Sequence, residues 1–379
     1  MIDAFAGPGL VEIRQLERNK RIAWEHFKAL AEGRLEDCLA LVDGNGVYWR
    51  NALAGDERPS VSLEVWKDAV KAMIEHRLPI PWQAKHVHLI NIFAEDDQVV
   101  LEIHNDSIPY HKAARSEPYD MVYLFVVKLR DDKIVGIRES FDGFLLDTML
   151  AEGTAPELGT DFLDLGVKKK TTAYPMPAGT CESCGMAHMT GIPAATGASI
   201  VQRNKEIAWR HFRAITDGRL DDALALLDTK GIFWIAARIG ADLRRPLSIE
   251  CWRRELTEII RHRFLMPWTD GVHLTNVVAE GDQVMLEIHN TSTFHLPKTG
   301  RYNMFFHWVL TLREGIICDI REYPDGLCGA RMHDLIFPET GANVSPLAVL
   351  GELPPYELPE GSCLSCGKIH RNDVAAYSS

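Results

Sequence analysis

The stretch IAWEHFKALAEGRLEDCLALVD, Ile22–Asp43, comes back as IAWRHFRAITDGRLDDALALLD, Ile207–Asp228. The repeat extends well beyond it. Arg18-Asn19-Lys20 is answered by Arg203-Asn204-Lys205, HLINIFAEDDQVVLEIHN from His88 by HLTNVVAEGDQVMLEIHN from His273, and IRESFDG from Ile137 by IREYPDG from Ile320. The shift is 185 residues at Arg18 and at His88, and 183 at Ile137. Solenoid units repeat every 20–50 residues or so, so this is a duplicated globular domain. The segments that follow each copy match too, CESCGMAH from Cys181 and CLSCGKIH from Cys363.

A chain of 379 residues, 46% hydrophobic and 25% charged, has material for two cores and the balance of a soluble globular protein. A formal net charge of −12, with no basic run longer than Lys168-Lys169-Lys170, argues against a nucleic-acid partner. The start, MIDAFAGPGLVEIRQLERNK, has no apolar core of signal-peptide length, and no stretch approaches the roughly 20 apolar residues of a membrane helix. The expectation is a cytoplasmic protein with no membrane partner. In that compartment Cys-x-x-Cys serves metal binding or redox chemistry more than disulfides.

Within one copy, helical spacing of Ile22, Ala23, His26, Phe27 and Leu30 predicts an amphipathic helix over 16–31, stopped by Gly33 as its counterpart is by Gly218. A short helix over 35–42 and a strand at Gly46–Arg50 follow. SLEVWKDAVKAMIEHR predicts a third helix, with Ser62 as N-cap and Pro79 and Pro81 beyond its end. Strands are then expected at 86–93 and 99–105, joined by a hairpin, and at 119–129 and 134–141. Helices first and a run of antiparallel strands after them give an α+β fold. The domains are read as 10–150 and 197–337. A Gly-, Pro-, Ala- and Thr-rich linker, 151–196, and a tail, 338–379, each carry one Cys motif.

This order of elements, with AEGDQV at a hairpin and IREYPDG on the last strand, resembles the nuclear transport factor 2-like superfamily, and within it the SnoaL-like branch, which includes polyketide cyclases and ketosteroid isomerase-like enzymes. The resemblance covers each copy nearly end to end but not the Cys-bearing segments. It implies two tandem cone-shaped α+β barrels, each a curved antiparallel sheet with N-terminal helices around an apolar pocket, fused as an intramolecular pseudo-dimer. It also implies acid–base carbon chemistry by a lyase, isomerase, dehydratase or cyclase without an organic cofactor, although other relatives only bind ligands. The substrate expected is small and hydrophobic, aromatic or polycyclic, and the pseudo-dimer is open to pairing again as a homodimer.

By the same resemblance, the Asp that closes the last strand, Asp142 or Asp325, corresponds to the acid/base of polyketide cyclases; Asp-Gly there is also an ordinary turn. His88 and His104, with His273 and His289 in the second copy, fall on neighbouring hairpin strands and would approach each other; they resemble the paired histidines of dehydratase-type members, which implies a catalytic part in proton transfer beside Asp142, aided by Tyr48. Glu102 and His104 share a strand face, as do Glu287 and His289, and that face is either the pocket or an outer surface. Tyr48, Arg50 and Tyr123 stand where the second copy has Phe233, Ile235 and Phe306. Tyr48 would donate to an oxyanion and Arg50 would hold an anion, which favours the first copy as the active one.

Cys181, Cys184 and His188 are spaced C-x2-C-G-x2-H, and Cys363, Cys366 and His370 repeat the spacing. Two thiolates three residues apart reach one ion, and an imidazole adds a third ligand, a set suited to zinc. The fourth ligand is left open: the motifs meet in one site, or each takes a ligand from its domain, from water or from substrate. An open site would make the metal catalytic and the protein a metal-dependent lyase or hydrolase. A closed one would be structural.

Overall fold

The computed structural model describes residues 8–50, 61–77, 84–106, 121–141, 199–236, 247–258, 271–291, 304–324, 360–362 and 368–370, with Gly179, Met189 and Ile192. The first copy runs α1 (Pro8–Ala31), α2 (Leu35–Ala40), β1 (Val42–Arg50), β2 (Val61–Ser62), α3 (Leu63–Arg77), β3 (Val87–Glu95), β4 (Gln98–Asn105), β5 (Met121–Arg130) and β6 (Lys133–Ser140). The second repeats it as α4 (Ile200–Thr216), α5 (Leu220–Leu224), β7 (Leu227–Ile235), β8 (Leu247–Ser248), α6 (Ile249–Glu258), β9 (Val272–Glu280), β10 (Gln283–Asn290), β11 (Met304–Arg313) and β12 (Ile316–Pro324). Two tandem α+β domains, each one sheet with helices, are what the sequence led us to expect. Among the described residues no helix is long and apolar enough to cross a membrane.

Local chemistry explains most boundaries. α1 ends before Gly33, whose φ of 73° is the left-handed conformation glycine adopts beyond a helix end, and Gly218 does the same at 74°. The Ser62 hydroxyl accepts the Val65 N–H at 3.2 Å and caps α3. Asp131 and Asp132, both at positive φ, make the tight β5–β6 turn, the backbone a two-residue hairpin needs.

Each sheet is six-stranded, in the order β2-β1-β6-β5-β4-β3 and its equivalent β8-β7-β12-β11-β10-β9. β3 to β6 form an antiparallel run, but β1 joins β6 in parallel, so the sheet is mixed. The expected strand at Gly46 begins earlier, at Val42, and its pairing register shifts between Val42 and Val47. A Cβ on Gly46 would stand 2.3 Å from the Val135 carbonyl oxygen, so only glycine lets β1 lie this close to β6.

The two faces of each sheet have different neighbours. Val99, Leu101 and Ile103 of β4 join Phe27, Trp66 and Phe125 in a core under the helices. Val100 of β4, with Ile90, Phe93 and Leu124, packs instead against Trp234, Val278, Met285 and Val309 of the second copy. The copies therefore meet sheet to sheet, and β4 is buried on both faces.

Buried charge sits inside that apolar interface. Glu102 accepts the Arg321 Nε–H at 2.6 Å, the Tyr323 hydroxyl and the Asn91 amide at 2.7 Å. Glu287 mirrors it, accepting from Arg138 Nε at 2.8 Å and Thr275 at 2.9 Å, with His307 Nε2 at 3.1 Å. Each arginine comes from the opposite copy and lies over a buried indole, Arg138 4.0 Å from the centre of Trp49 and Arg321 4.1 Å from Trp234. Burial alone would raise both carboxyls, yet the facing arginines hold Glu102 and Glu287 below the usual carboxylate range. At the rim, Lys20 binds Glu280 at 2.6 Å and Lys205 binds Glu95.

Arg321→Ala leaves Glu102 buried without its cation. It should cost about 3–5 kcal/mol in denaturant unfolding, while replacing the pair together (Glu102→Leu with Arg321→Met) should recover most of that loss. Equal losses in the single and double variants would show that the charges do not act as a pair.

Candidate functional site

The helix-covered side of the first sheet carries the polar groups suited to chemistry. β1 and β6 bring Tyr48 and Glu139 together, and the buried tyrosine hydroxyl donates to Glu139 Oε2. The Tyr48 ring lies 5.9 Å from Trp66 of α3, and the His26 ring of α1 lies 5.4 Å from the same indole. Tyr123 is half-buried nearby, 5.8 Å from Phe141. An acid, a phenol and an imidazole thus line an aromatic interior around Trp66.

His26 is fully buried. Its Nδ1 lies 3.1 Å from the Cys38 carbonyl oxygen, which only accepts, so the proton is on Nδ1 and Nε2 carries the lone pair. Among the described residues Nε2 has no hydrogen-bond partner. Burial pushes the imidazole down to about 4, against the rise its bond to Cys38 gives, so it is neutral at pH 7. His211 repeats the arrangement on the Ala223 carbonyl, again with Nε2 unpartnered among the described residues and again at about 4 through burial. Burial pushes the Cys38 thiol, 3.4 Å from the His26 ring, up to about 12, which makes it inert.

The four strand histidines are elsewhere. His88 and His104 are cross-strand partners with ring centres 6.2 Å apart, and His273 and His289 repeat the pairing at 6.3 Å. By alternation along β4, His104 shares a face with Val100 and Glu102, the side turned to the other copy and away from Tyr48. Glu102 and Glu287, the face-mates of His104 and His289, are the interface carboxylates. His370 of the second Cys motif packs on the first pair, 3.1 Å from its Nε2 to His104 Nδ1 and stacked on His88 at 4.0 Å.

Asp142, Asp325, Cys181, Cys184, His188, Cys363 and Cys366 lie outside the described residues, as does the Arg50 side chain. Among the described residues no group of three or more His, Cys, Asp or Glu could hold a metal ion. In the second copy Phe233 replaces Tyr48 and stacks on Trp252 at 4.6 Å. Glu139 and His26 were missed in the sequence because each sat in a pattern that read as structure, one in a strand and one on an apolar helix face. The signal for His26 was its return as His211 at the same helical position.

Residues 24–137 match the SnoaL-like domain family. No curated protein matches the chain. Similar solved structures include an LEH-like epoxide hydrolase of M. tuberculosis, 14% identical, covering 36% of this chain and 93% of that one with a TM-score of 0.28. A candidate SnoaL-like polyketide cyclase from Jannaschia is 18% identical, covering 37% and 96%, with a TM-score of 0.28. A protein of ketosteroid isomerase-like fold from Catenulispora acidiphila, solved with trimethylamine, is 16% identical, covering 36% and 93%, with a TM-score of 0.27.

Folded-state values near 4 for His26 and His211 lie below the ordinary 6.5. The unfolded chain therefore binds protons that the folded chain refuses. Stability should be fully present above pH 6.5 and fall as pH drops toward 4, on the order of 3 kcal/mol per histidine. Melting followed from pH 7 to pH 4 tests this, with His26→Gln/His211→Gln as the comparison. An unchanged slope in that variant would show that other groups govern the acid limb.

Proposed function

We propose that this chain, whose first domain belongs to the SnoaL-like family and whose second repeats it, is an enzyme of acid–base carbon chemistry. It acts as a lyase, isomerase, dehydratase or cyclase, without an organic cofactor, on a small hydrophobic, aromatic or polycyclic molecule. The observation that carries the reading is the Tyr48–Glu139 pair, an acid and a phenol bonded to each other on the buried, helix-facing side of the sheet. The pair sets a proton acceptor beside a proton donor on one face, the two roles that general acid–base chemistry needs.

In this proposal Glu139 takes a proton from a carbon acid or from water, and Tyr48 donates to the oxygen on which charge develops. His26 Nε2, without a partner among the described residues, accepts a hydrogen bond from a substrate hydroxyl or from water. Trp66, which both Tyr48 and His26 approach, gives a flat ring a partner to stack on. Phe233 offers Glu322 no hydroxyl, which supports the first copy as the active one. Asp142, three residues beyond Glu139, is the alternative base. The strand histidines His88, His104, His273 and His289 sit on the far side of their sheets and are better read with the Cys motifs, where zinc is proposed as a structural ion.

Glu139→Gln and Asp142→Asn separate the two bases on a panel of polycyclic ketones and epoxides. Glu139→Gln should lower turnover at least about 100-fold, and Tyr48→Phe should lower kcat more than it raises KM. Full activity in Glu139→Gln with loss in Asp142→Asn would move the base to Asp142. Full activity in both would remove the acid–base reading.

A further inference from the structure

We infer that the second domain positions the base of the first: His307, with Glu287 behind it, is a positioning residue that holds Glu139 against Tyr48 by way of Ser140 and Arg138. The inference rests on the reading of Glu139 as the base. It makes the second copy a working part of the first copy's site.

Glu139 is the last residue but one of β6. Among the described residues, the pairing of β6 with β1 ends at Arg50 and Glu139, and its pairing with β5 ends at Leu124 and Ser140. Element ends open more readily than their middles, so the aim of a side chain there depends on what holds its neighbours. Alternation turns Arg138 and Ser140 to the face opposite Glu139, toward the other domain. Both are held there, and both links end on one carboxylate oxygen. Arg138 Nε donates to Glu287 Oε2 at 2.8 Å. Ser140 Oγ lies 2.8 Å from His307 Nδ1, and His307 Nε2 lies 3.1 Å from the same Oε2. A hydroxyl can give or take the proton it shares with Nδ1, so the link holds for a neutral or a charged imidazole.

The arrangement is closed to water. Ser140 and Glu287 are fully buried and His307 is 1% exposed. Hydrogen bonds in such a place are stiff, because no solvent replaces them when they stretch. With residues 138 and 140 tied to the second domain, the backbone between them is fixed, and so is the direction in which Glu139 leaves the sheet. That direction meets the Tyr48 hydroxyl. A catalytic group has to be held within about 0.5 Å of its productive place, and the interface supplies this hold from behind.

The histidine belongs to this side alone. In the second copy Glu322 stands between Arg321 and Tyr323, and both of these reach Glu102 directly. Leu124 occupies the place that His307 holds in the second copy, opposite Ser140 as His307 is opposite Tyr323, and it packs in the apolar interface. A serine is shorter than a tyrosine, and the imidazole of the other domain covers the distance that remains. The link through His307 therefore backs the one glutamate that has a phenol to meet, since Phe233 replaces Tyr48 beside Glu322.

The test uses the full-length chain with tyrosine isotope-labelled at Cζ for NMR. The Tyr48 signal, assigned by its loss in Tyr48→Phe, reports the bond from phenol to carboxylate, and Glu139→Gln marks where the signal lies without that carboxylate. Ser140→Ala and His307→Leu should each move it toward that mark, and the two together no farther than either alone. His307→Asn, which returns an acceptor near the place of Nδ1, should move it least. Tyr323→Phe, which removes a hydroxyl from the other carboxylate, should leave it in place. Should His307→Leu fail to fold, the milder Ser140→Ala carries the same comparison. On the substrate panel, Ser140→Ala and His307→Leu should lower kcat about 10-fold with KM little changed. A signal that stays in place in both while Glu139→Gln moves it would overturn the positioning role. A signal that Glu139→Gln also leaves in place would overturn the Tyr48–Glu139 pair and the inference with it. A moved signal with full turnover in Glu139→Gln would uphold the link across the interface and overturn the reading of Glu139 as base.

Discussion

Two carboxylates decide how the molecule is put together. Glu102 and Glu287 sit in the middle of an apolar sheet-to-sheet interface, and each is satisfied by an arginine that only the other copy supplies. A buried carboxylate without a partner is so costly that the copies have one acceptable way to meet. The same pairs fix strand register. A slip of one residue in β4 would turn Glu102 under the helices and Leu101 toward Arg321. The indoles of Trp49 and Trp234 beneath the arginines complete the constraint, because they bury the guanidinium planes that the carboxylates orient.

Once that interface is in place, the two faces of each sheet divide the remaining work. The helix-facing side is closed by α1 and α3 and holds Tyr48, Glu139 and His26 among aromatic rings. The other side spends its central residues on the partner domain and leaves its histidines at the strand ends, where the chain segments that follow each domain arrive. The cluster of Tyr48, Glu139 and His26 and the strand histidines therefore occupy opposite faces, so strand alternation separates Tyr48 from His88 and His104.

Much of this was legible before any coordinates. The duplication, the helix ended by Gly33, the Ser62 cap and the β3–β4 hairpin all follow from short-range chemistry that a sequence displays. The β1–β6 pairing did not, because parallel neighbours ninety residues apart leave no local mark, and the signal they do leave, Gly46, reads like a turn. β4 hid its orientation for a different reason. Both of its faces are buried, so QVVLEIHN shows no alternation to say which side Glu102 and His104 take. The site was legible only in Tyr48, where a difference between the copies marked it. Glu139 was masked by standing in the same Arg-Glu dipeptide in both copies, one residue serving the interface and its neighbour the interior.

That dipeptide shows what duplication makes available. Arg138 and Arg321 must both remain, since each neutralises the other copy's glutamate. Around them the copies have diverged in compensating pairs. Tyr323 gives Glu102 its hydroxyl, while Ser140 in the equivalent place binds His307 Nδ1 at 2.8 Å, and His307 in turn faces Glu287. A symmetric homodimer could not hold tyrosine on one side and a serine–histidine pair on the other, because a single sequence would impose the same choice twice. Fusion removes that restriction at the interface and, by the same logic, in the interiors. Phe233 fills the place of Tyr48 and packs on Trp252 without disturbing the first domain. One domain is then free to keep a polar interior, with the desolvation it entails, while the other supplies apolar packing and the arginine that holds the pair together.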